Sequence, residues 1–239
     1  MPVTATAALD LLFPRACVAC DSSMNDGVIC GVCWSQLALL PSPRCERCGH
    51  PALAPTCAYC AAFPPWVRAV RSVCWIPDTV GGAAVAALKY DGWTAIADAM
   101  AVRMARVHWP ADVIAERTAL VPVPLARTRR RERGYNQAEL LAHALAPKLG
   151  LPVWDDAVSR DRHTGTQTRL TPSERSTNVH QAFRVSDTVR GRLAGAHLIV
   201  VDDVLTTGST LNATAGALFG AGARIVSYLT FGRARSATD

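Results

Sequence analysis

The chain has 239 residues, half of them hydrophobic, with a formal charge of +6 and an isoelectric point near 9.0. That length holds one full-sized domain and a small appendage, and no run of roughly 18 apolar residues exists to form a membrane-spanning helix. The positive balance favours polyanionic partners, whether nucleic acid, phosphorylated small molecules or an anionic surface.

Met1 to Arg15 carries an apolar run but has no basic start and ends in Phe13-Pro14-Arg15, a poor secretory signal. A cytoplasmic chain is therefore expected. Eight of the nine cysteines then fall between Cys17 and Cys60 as Cys-x-x-Cys pairs: Cys17, Cys20, Cys30 and Cys33, then Cys45, Cys48, Cys57 and Cys60. Disulfides rarely persist in a reducing compartment, so this clustering points to metal. Four thiolates make a closed tetrahedral Zn²⁺ site with no position left for catalysis, and eight make two. Two structural zinc ions are expected, in sequential ribbons by preference or cross-braced, with an iron–sulfur cluster as the minor competitor. They would substitute for the core that so short a module lacks. His50, just after Cys48-Gly49, reads as a surface residue. Phe63-Pro64-Pro65 closes the unit, since Pro-Pro disfavours a helix across the junction. The expected division is 1–65 and 66–239.

The second unit alternates strand and helix patterns. Val67 to Ile76 reads as strand, with Cys74 in its core. Ile96, Met100, Met104 and Val107 recur at helical spacing, with Arg103 and Arg106 on another face. Ala119 to Val123 is a short apolar run halted by Pro122 and Pro124. Arg127, Arg129, Arg130, Arg131 and Arg133 follow, with Glu132 among them, forming a dense cationic segment suited to substrate or nucleic-acid contact. Gly134-Tyr135-Asn136-Gln137 opens a helix that reaches Leu149. Ser159 to Gln181 is polar and rich in arginine; a loop of that length in a compact domain is usually functional. The predicted class is α/β with a largely parallel sheet flanked by helices. The six tryptophans are scattered, and core packing is their default.

The most informative stretch runs from Leu198 to Thr210: an apolar strand, Asp202 and Asp203, then Val-Leu-Thr-Thr-Gly-Ser-Thr at the start of a helix. Ligands of open α/β sheets bind at the carboxyl ends of strands. Backbone N–H groups at a helix N-terminus suit a phosphate. Gly208 allows close backbone approach, and Thr206, Thr207, Ser209 and Thr210 add hydroxyl donors. The two carboxylates suit sugar hydroxyls or a hydrated Mg²⁺. This pattern is similar to the phosphoribosyl-diphosphate motif of type I phosphoribosyltransferases.

With Leu9-Asp-Leu-Leu-Phe-Pro14, Leu88-Lys-Tyr90, Pro122-Val-Pro124, Arg133-Gly-Tyr-Asn-Gln137, Thr166-Gln167 and Glu174 to Phe183 in order, the chain resembles the ComF family. That family joins cysteine fingers to a phosphoribosyltransferase-like domain and is associated with DNA uptake in natural competence. The resemblance implies that Asp202 and Asp203 hold ribose hydroxyls of 5-phosphoribosyl-1-diphosphate and that Thr206 to Thr210 cradle its 5-phosphate, with Leu205 among the substrate contacts. It also implies diphosphate or substrate contacts from Lys89, Pro122, Val123, Arg129, Arg133, Tyr135, Asn136 and Gln137. Arg169 and Arg175 would contribute from a hood loop over Ser159 to Gln181, with Mg²⁺ offsetting the diphosphate charge. Three functions are carried forward. One is a ComF-like protein that handles incoming single-stranded DNA beside competence proteins. Another is a metabolic enzyme moving ribose 5-phosphate to a nucleobase or amine. The third is a non-catalytic ligand sensor that binds nucleic acid.

Overall fold

The computed structural model describes residues 16–51, 57–160 and 182–235. In chain order these form α1 (Gly31–Ser35), β1 (Val67–Ile76), α2 (Thr79–Lys89), α3 (Ile96–Met104), α4 (Ala111–Glu116), β2 (Arg117–Pro122), α5 (Arg127–Arg133), α6 (Gln137–Leu149), β3 (Val158–Arg160), β4 (Phe183–Val185), α7 (Arg190–Leu193), β5 (His197–Leu205), α8 (Ser209–Gly220) and β6 (Ile225–Ala234). Four strands make a parallel sheet in the order β1–β6–β5–β2, and β3 pairs antiparallel with β4. The α/β expectation holds.

A parallel sheet is covered on both faces, so its central strands read as continuous apolar runs. On one face Ile199 and Val201 of β5 meet α2, α3 and α6 through Leu88, Met100 and Leu141. On the other, Leu198 and Val200 meet α8 through Leu211, Ala215 and Leu218. Asp78 caps α2 by accepting from the Gly81 N–H at 3.0 Å. Asn136 caps α6 from the Ala138 N–H at the same distance, which satisfies donors a helix start would otherwise leave unpaired.

The cysteine segment covers the sheet's open edge. Leu40 N–H donates to Val73 O at 3.1 Å and Trp75 N–H to Ala38 O at 2.9 Å, so residues 38–40 run along β1. Val70 N–H likewise reaches Arg47 O at 2.8 Å. Arg47 then clamps the second half of the segment, donating to Phe63 O at 2.9 Å and Pro64 O at 2.8 Å. An exposed edge strand invites unwanted pairing, and here the cysteine segment occupies it. Cys17 and Cys33 pack into one face's core and Cys48 into the other, so the two halves straddle β1.

Four details differ from the sequence expectations. The helix at Ile96 stops at Met104, leaving Val107 beyond it. β2 begins at Arg117, two residues ahead of the apolar run. β5 continues to Leu205 because β6 runs alongside as far as Ala234, pairing Asp202 with Thr230 and Leu205 with Arg233. The two aspartates thus stand within the strand's last turn of pleat and do not follow it. His50 is buried, not superficial: its ring stacks on Tyr59 at 3.5 Å and meets Trp75 edge-on.

Candidate functional site

The C-terminal edge of the sheet carries the site. Alternation along β5 sends Asp203 to the α2 side and Asp202 to the opposite side. Asp203 is buried: Oδ1 accepts from the Val204 N–H at 2.7 Å, and Lys89 Nζ, at the end of α2, lies 2.8 Å from Oδ2. The Lys89 contact is at hydrogen-bonding distance but off the hydrogen-bonding angle, so it is an ion pair without a directed bond. Asp202, half-buried, accepts from the Asp203 N–H at 2.9 Å. Burial first, and then the adjacent Asp203 carboxylate, push its pKa well above the usual carboxylate range. Two acids crowded this way favour hydroxyl donors or a cation beside them.

The following turn is open. Thr206, Thr207 and Ser209 are exposed, and Gly208 sits in the left-handed region at φ 79°, a conformation that side chains with a Cβ resist. Gly208 is the N-cap of α8 and supplies no side chain to it, so neither aspartate serves as the cap. Thr207 Oγ1 and Ser209 Oγ lie 2.9 Å apart, and the Ser209 N–H points at Thr207 Oγ1 at 3.4 Å. The turn therefore presents hydroxyls and first-turn N–H groups together, an anion-accepting arrangement.

The loop after β2 joins this edge. Val123 N–H donates to Val201 O at 2.9 Å, and Asn136 Nδ2 donates to Val123 O at 3.0 Å, fixing the Pro122-Val123-Pro124 segment over the end of β5. Tyr135 donates its hydroxyl to Leu88 O at 2.6 Å and ties the α5–α6 turn to Lys89. Arg133 bonds the Gln137 side chain and lies over the Tyr90 ring at 5.7 Å. Lys89, Tyr90, Gly92, Arg129, Glu132, Arg133 and Tyr135 border a cleft of about 390 Å³.

Lys89, Arg129, Arg133 and Tyr135 are thus brought to one cleft, with Lys89 linking it to Asp203. Asn136 and Gln137 are buried and engaged by the fold, holding the proline loop and α5 in place. Arg169 and Arg175 lie outside the described residues. Arg160, which no motif singled out, is electrostatically linked to Asp202 and Arg129. It ends β3, where the chain leaves for residue 161. Burial lowers its pKa, Arg129 acts in the same sense and Asp202 opposes, so the three share one electrostatic neighbourhood. Its only sequence signal was membership of the arginine-rich stretch.

The eight cysteines form two sets, Cys17, Cys20, Cys30 and Cys33, and Cys45, Cys48, Cys57 and Cys60, with the sulfurs of each set within 4.8 Å of one another. The arrangement is sequential, not cross-braced. Separations of 3.8 Å for Cys20–Cys30, 3.5 Å for Cys45–Cys60 and 3.4 Å for Cys48–Cys57 are near the ~3.8 Å edge of a tetrahedron with 2.3 Å Zn–S bonds. They are far too long for disulfides. The Ser22 hydroxyl, 3.3 Å from Cys20 Sγ, is the main cause that brings that exposed thiol down to about 6, towards the thiolate a metal needs. The second set also reaches the phosphate-type turn. Asn212 in α8 donates to Ala62 O at 2.9 Å, and the Phe63 ring lies beside Gly208.

Fold and cysteine geometry together define a phosphoribosyltransferase-type domain carrying a double zinc ribbon. Residues 8–64 match the double zinc ribbon domain family and residues 136–239 the phosphoribosyl transferase domain family. The DNA utilization protein YhgH of Salmonella typhimurium is 34% identical over 229 residues, covering 90% of this chain and 96% of that protein. Competence protein F of Haemophilus influenzae is 42% identical over 94 residues, 39% of this chain and 41% of its own length. Competence protein ComFC of Bacillus subtilis is 26% identical over 226 residues, covering 84% and 88%. The chain belongs to the ComF family. Among the described residues no helix is long and apolar enough to cross a membrane.

Proposed function

We propose that the C-terminal edge of the sheet binds 5-phosphoribosyl-1-diphosphate and that the protein serves the handling of single-stranded DNA during natural transformation, in the cytoplasm. The observation that carries the first half is the open Thr206–Thr210 turn directly beyond two crowded aspartates. In this reading the 5-phosphate lies on the turn, and the ribose hydroxyls donate to Asp202 and compete with Lys89 for Asp203. The diphosphate faces Val123, Arg129, Arg133 and Arg160, with Arg169 and Arg175 as further candidates. The crowded carboxylates and the ligand's own charge fit Mg²⁺, which would offset the diphosphate and ease its departure. Lys89 has two tasks, neutralising Asp203 before the ligand arrives and meeting its negative charge afterwards.

Turnover at this site would be pentosyl transfer: the ribose C1–oxygen bond breaks with its electron pair leaving on diphosphate, the nitrogen of a nucleobase or amine bonds C1, and the proton that nitrogen loses passes to the departing diphosphate or to water. The names of the relatives favour DNA handling over a metabolic role for the whole protein. Calorimetric titration with the diphosphate sugar and Mg²⁺ tests the site. Saturable binding that weakens at least tenfold in Asp202→Asn and in Gly208→Val supports it, and equal binding by both variants sinks it. Diphosphate release with a nucleobase or amine acceptor separates an enzyme from a ligand sensor.

A further inference from the structure

A second, larger cleft than the one beside Lys89 lies elsewhere. It has a volume of about 1160 Å³ and lies between the strap of residues 34–46, β1 and the α3–α4 region. That exceeds the roughly 300–1,000 Å³ of small-molecule pockets, and an extended ligand fits it better.

Its charge is unbalanced. Arg44, Arg71, Arg103 and Arg106 line it with only two carboxylates, Glu46 and Asp112. Both acids are taken by Arg68, at 2.7 Å and 2.6 Å. Arg71 is more than nine-tenths buried, yet it donates only to the backbone carbonyls of Val70, Glu46 and His108, at 2.8, 2.7 and 2.6 Å. Arg44 donates to Leu40 O and Pro41 O. Arg103 donates to Ala99 O at 2.8 Å and stacks over Trp34 at 3.6 Å. None of the four has a carboxylate partner among the described residues, and Arg106 is exposed. Burial lowers the pKa of Arg103, and the neighbouring Arg106 cation acts in the same sense, so an anion that meets both guanidinium groups is favoured.

The walls between the arginines are apolar, formed by Trp34, Leu37, Leu39, Val73 and Val107, with Leu39 strongly exposed. Guanidinium groups beside aromatic and apolar surface match a nucleic acid whose bases are unpaired. A duplex hides its bases and would leave those walls in water. We propose that this cleft, and not α5, is the track for single-stranded DNA, with phosphates on Arg44, Arg103 and Arg106, bases against Trp34 and Leu39, and the buried Arg71 bracing the wall between them. This rests on the DNA-handling reading above and specifies its surface.

The test is fluorescence anisotropy of a labelled 20-nucleotide oligothymidine against the full zinc-loaded chain at several salt concentrations. Arg103→Glu/Arg106→Glu should weaken binding at least tenfold and flatten the salt dependence, since fewer counterions are released. Arg106→Gln alone, at an exposed position, should give a smaller loss in the same direction and guards against a folding artefact. Arg129→Glu/Arg130→Glu/Arg131→Glu should lose much less. Unchanged binding by both cleft variants, with binding lost in the α5 variant, overturns the track and leaves DNA handling standing. No oligothymidine binding by the unaltered chain overturns both. If a polyglutamate peptide binds the cleft arginines and the oligonucleotide does not, the surface belongs to an acidic protein partner and the proposal fails.

Discussion

Two arginine-rich regions of this molecule have opposite histories. α5 holds five arginines in seven consecutive residues and stands out in any reading of the chain, yet Arg130 is paired with Glu139 at 2.6 Å, and Arg129 and Arg133 line the smaller cleft beside Lys89, where the diphosphate sugar is proposed to bind. The four arginines of the large cleft are spread from residue 44 to 106 and form no visible run, but among the described residues none meets a carboxylate. Charge density along a chain and charge available to a ligand are different quantities. The first is set by composition, and the second by which acids the fold brings nearby.

The largest expected effect on this contrast comes from the metal. Structural zinc contributes apparent binding energies of about 10–16 kcal/mol in small cysteine modules. Removing it with a chelator should collapse the strap that carries Trp34 and Arg44 while leaving the α5 sequence untouched. Because the cysteine segment pairs with β1 and shares both cores, calorimetry should show the whole chain melting at a lower temperature. An unchanged domain transition would mean the ribbons are a separate unit. Diphosphate-sugar affinity should also fall, through the Ala62–Asn212 and Phe63–Gly208 contacts.

Asp203→Asn comes next. It leaves the Lys89 ammonium without its partner and should cost roughly 3 kcal/mol in denaturant unfolding. Calorimetry should show at least tenfold weaker binding of the diphosphate sugar, while the salt-dependent binding of oligothymidine at the distant cleft is retained. Loss of both would show that the two regions are coupled.

Trp34→Ala is a milder probe of the cleft alone. Arg103 would lose its stacking platform, worth about 1 kcal/mol, and oligothymidine affinity should drop roughly fivefold with no change in diphosphate-sugar binding. Equal affinity would show that the arginines act without an aromatic wall.

The smallest effect is a control at the opposite end of the sheet from the phosphate turn. Burial lowers the pKa of His197, with Glu116 pulling the other way, and its Nε2 meets Ser227 Oγ at 2.9 Å. As pH falls through the ordinary imidazole range near 6.5, the unfolded chain takes up this proton before the folded chain does. Stability present at neutral pH should therefore decline on acidification. His197→Gln should flatten that part of the unfolding profile without altering either binding surface.

Much of the site could be read from residues alone, because its parts are short-range. An apolar strand, two acids and a glycine-centred turn occupy 13 consecutive positions, Leu198 to Thr210, and local backbone geometry dictates what they form. The cysteine spacing is similarly informative, since each pair must share one ion. Tyr135, Asn136 and Gln137 were visible as a group, but their division into a tether, a cap and a brace was not. Those roles depend on Leu88, Val123 and Arg133 arriving from other elements.

What the chain determined by itself was the metal chemistry, the alternation of strand and helix and the anion-accepting turn, all set by neighbours within a few residues. Tertiary structure alone decided that the ribbons seal the β1 edge, that Lys89 neutralises Asp203 and that four scattered arginines line one cleft. Each of these joins segments tens of residues apart, and their meeting is governed by burial and backbone pairing, which leave no local trace in the order of residues.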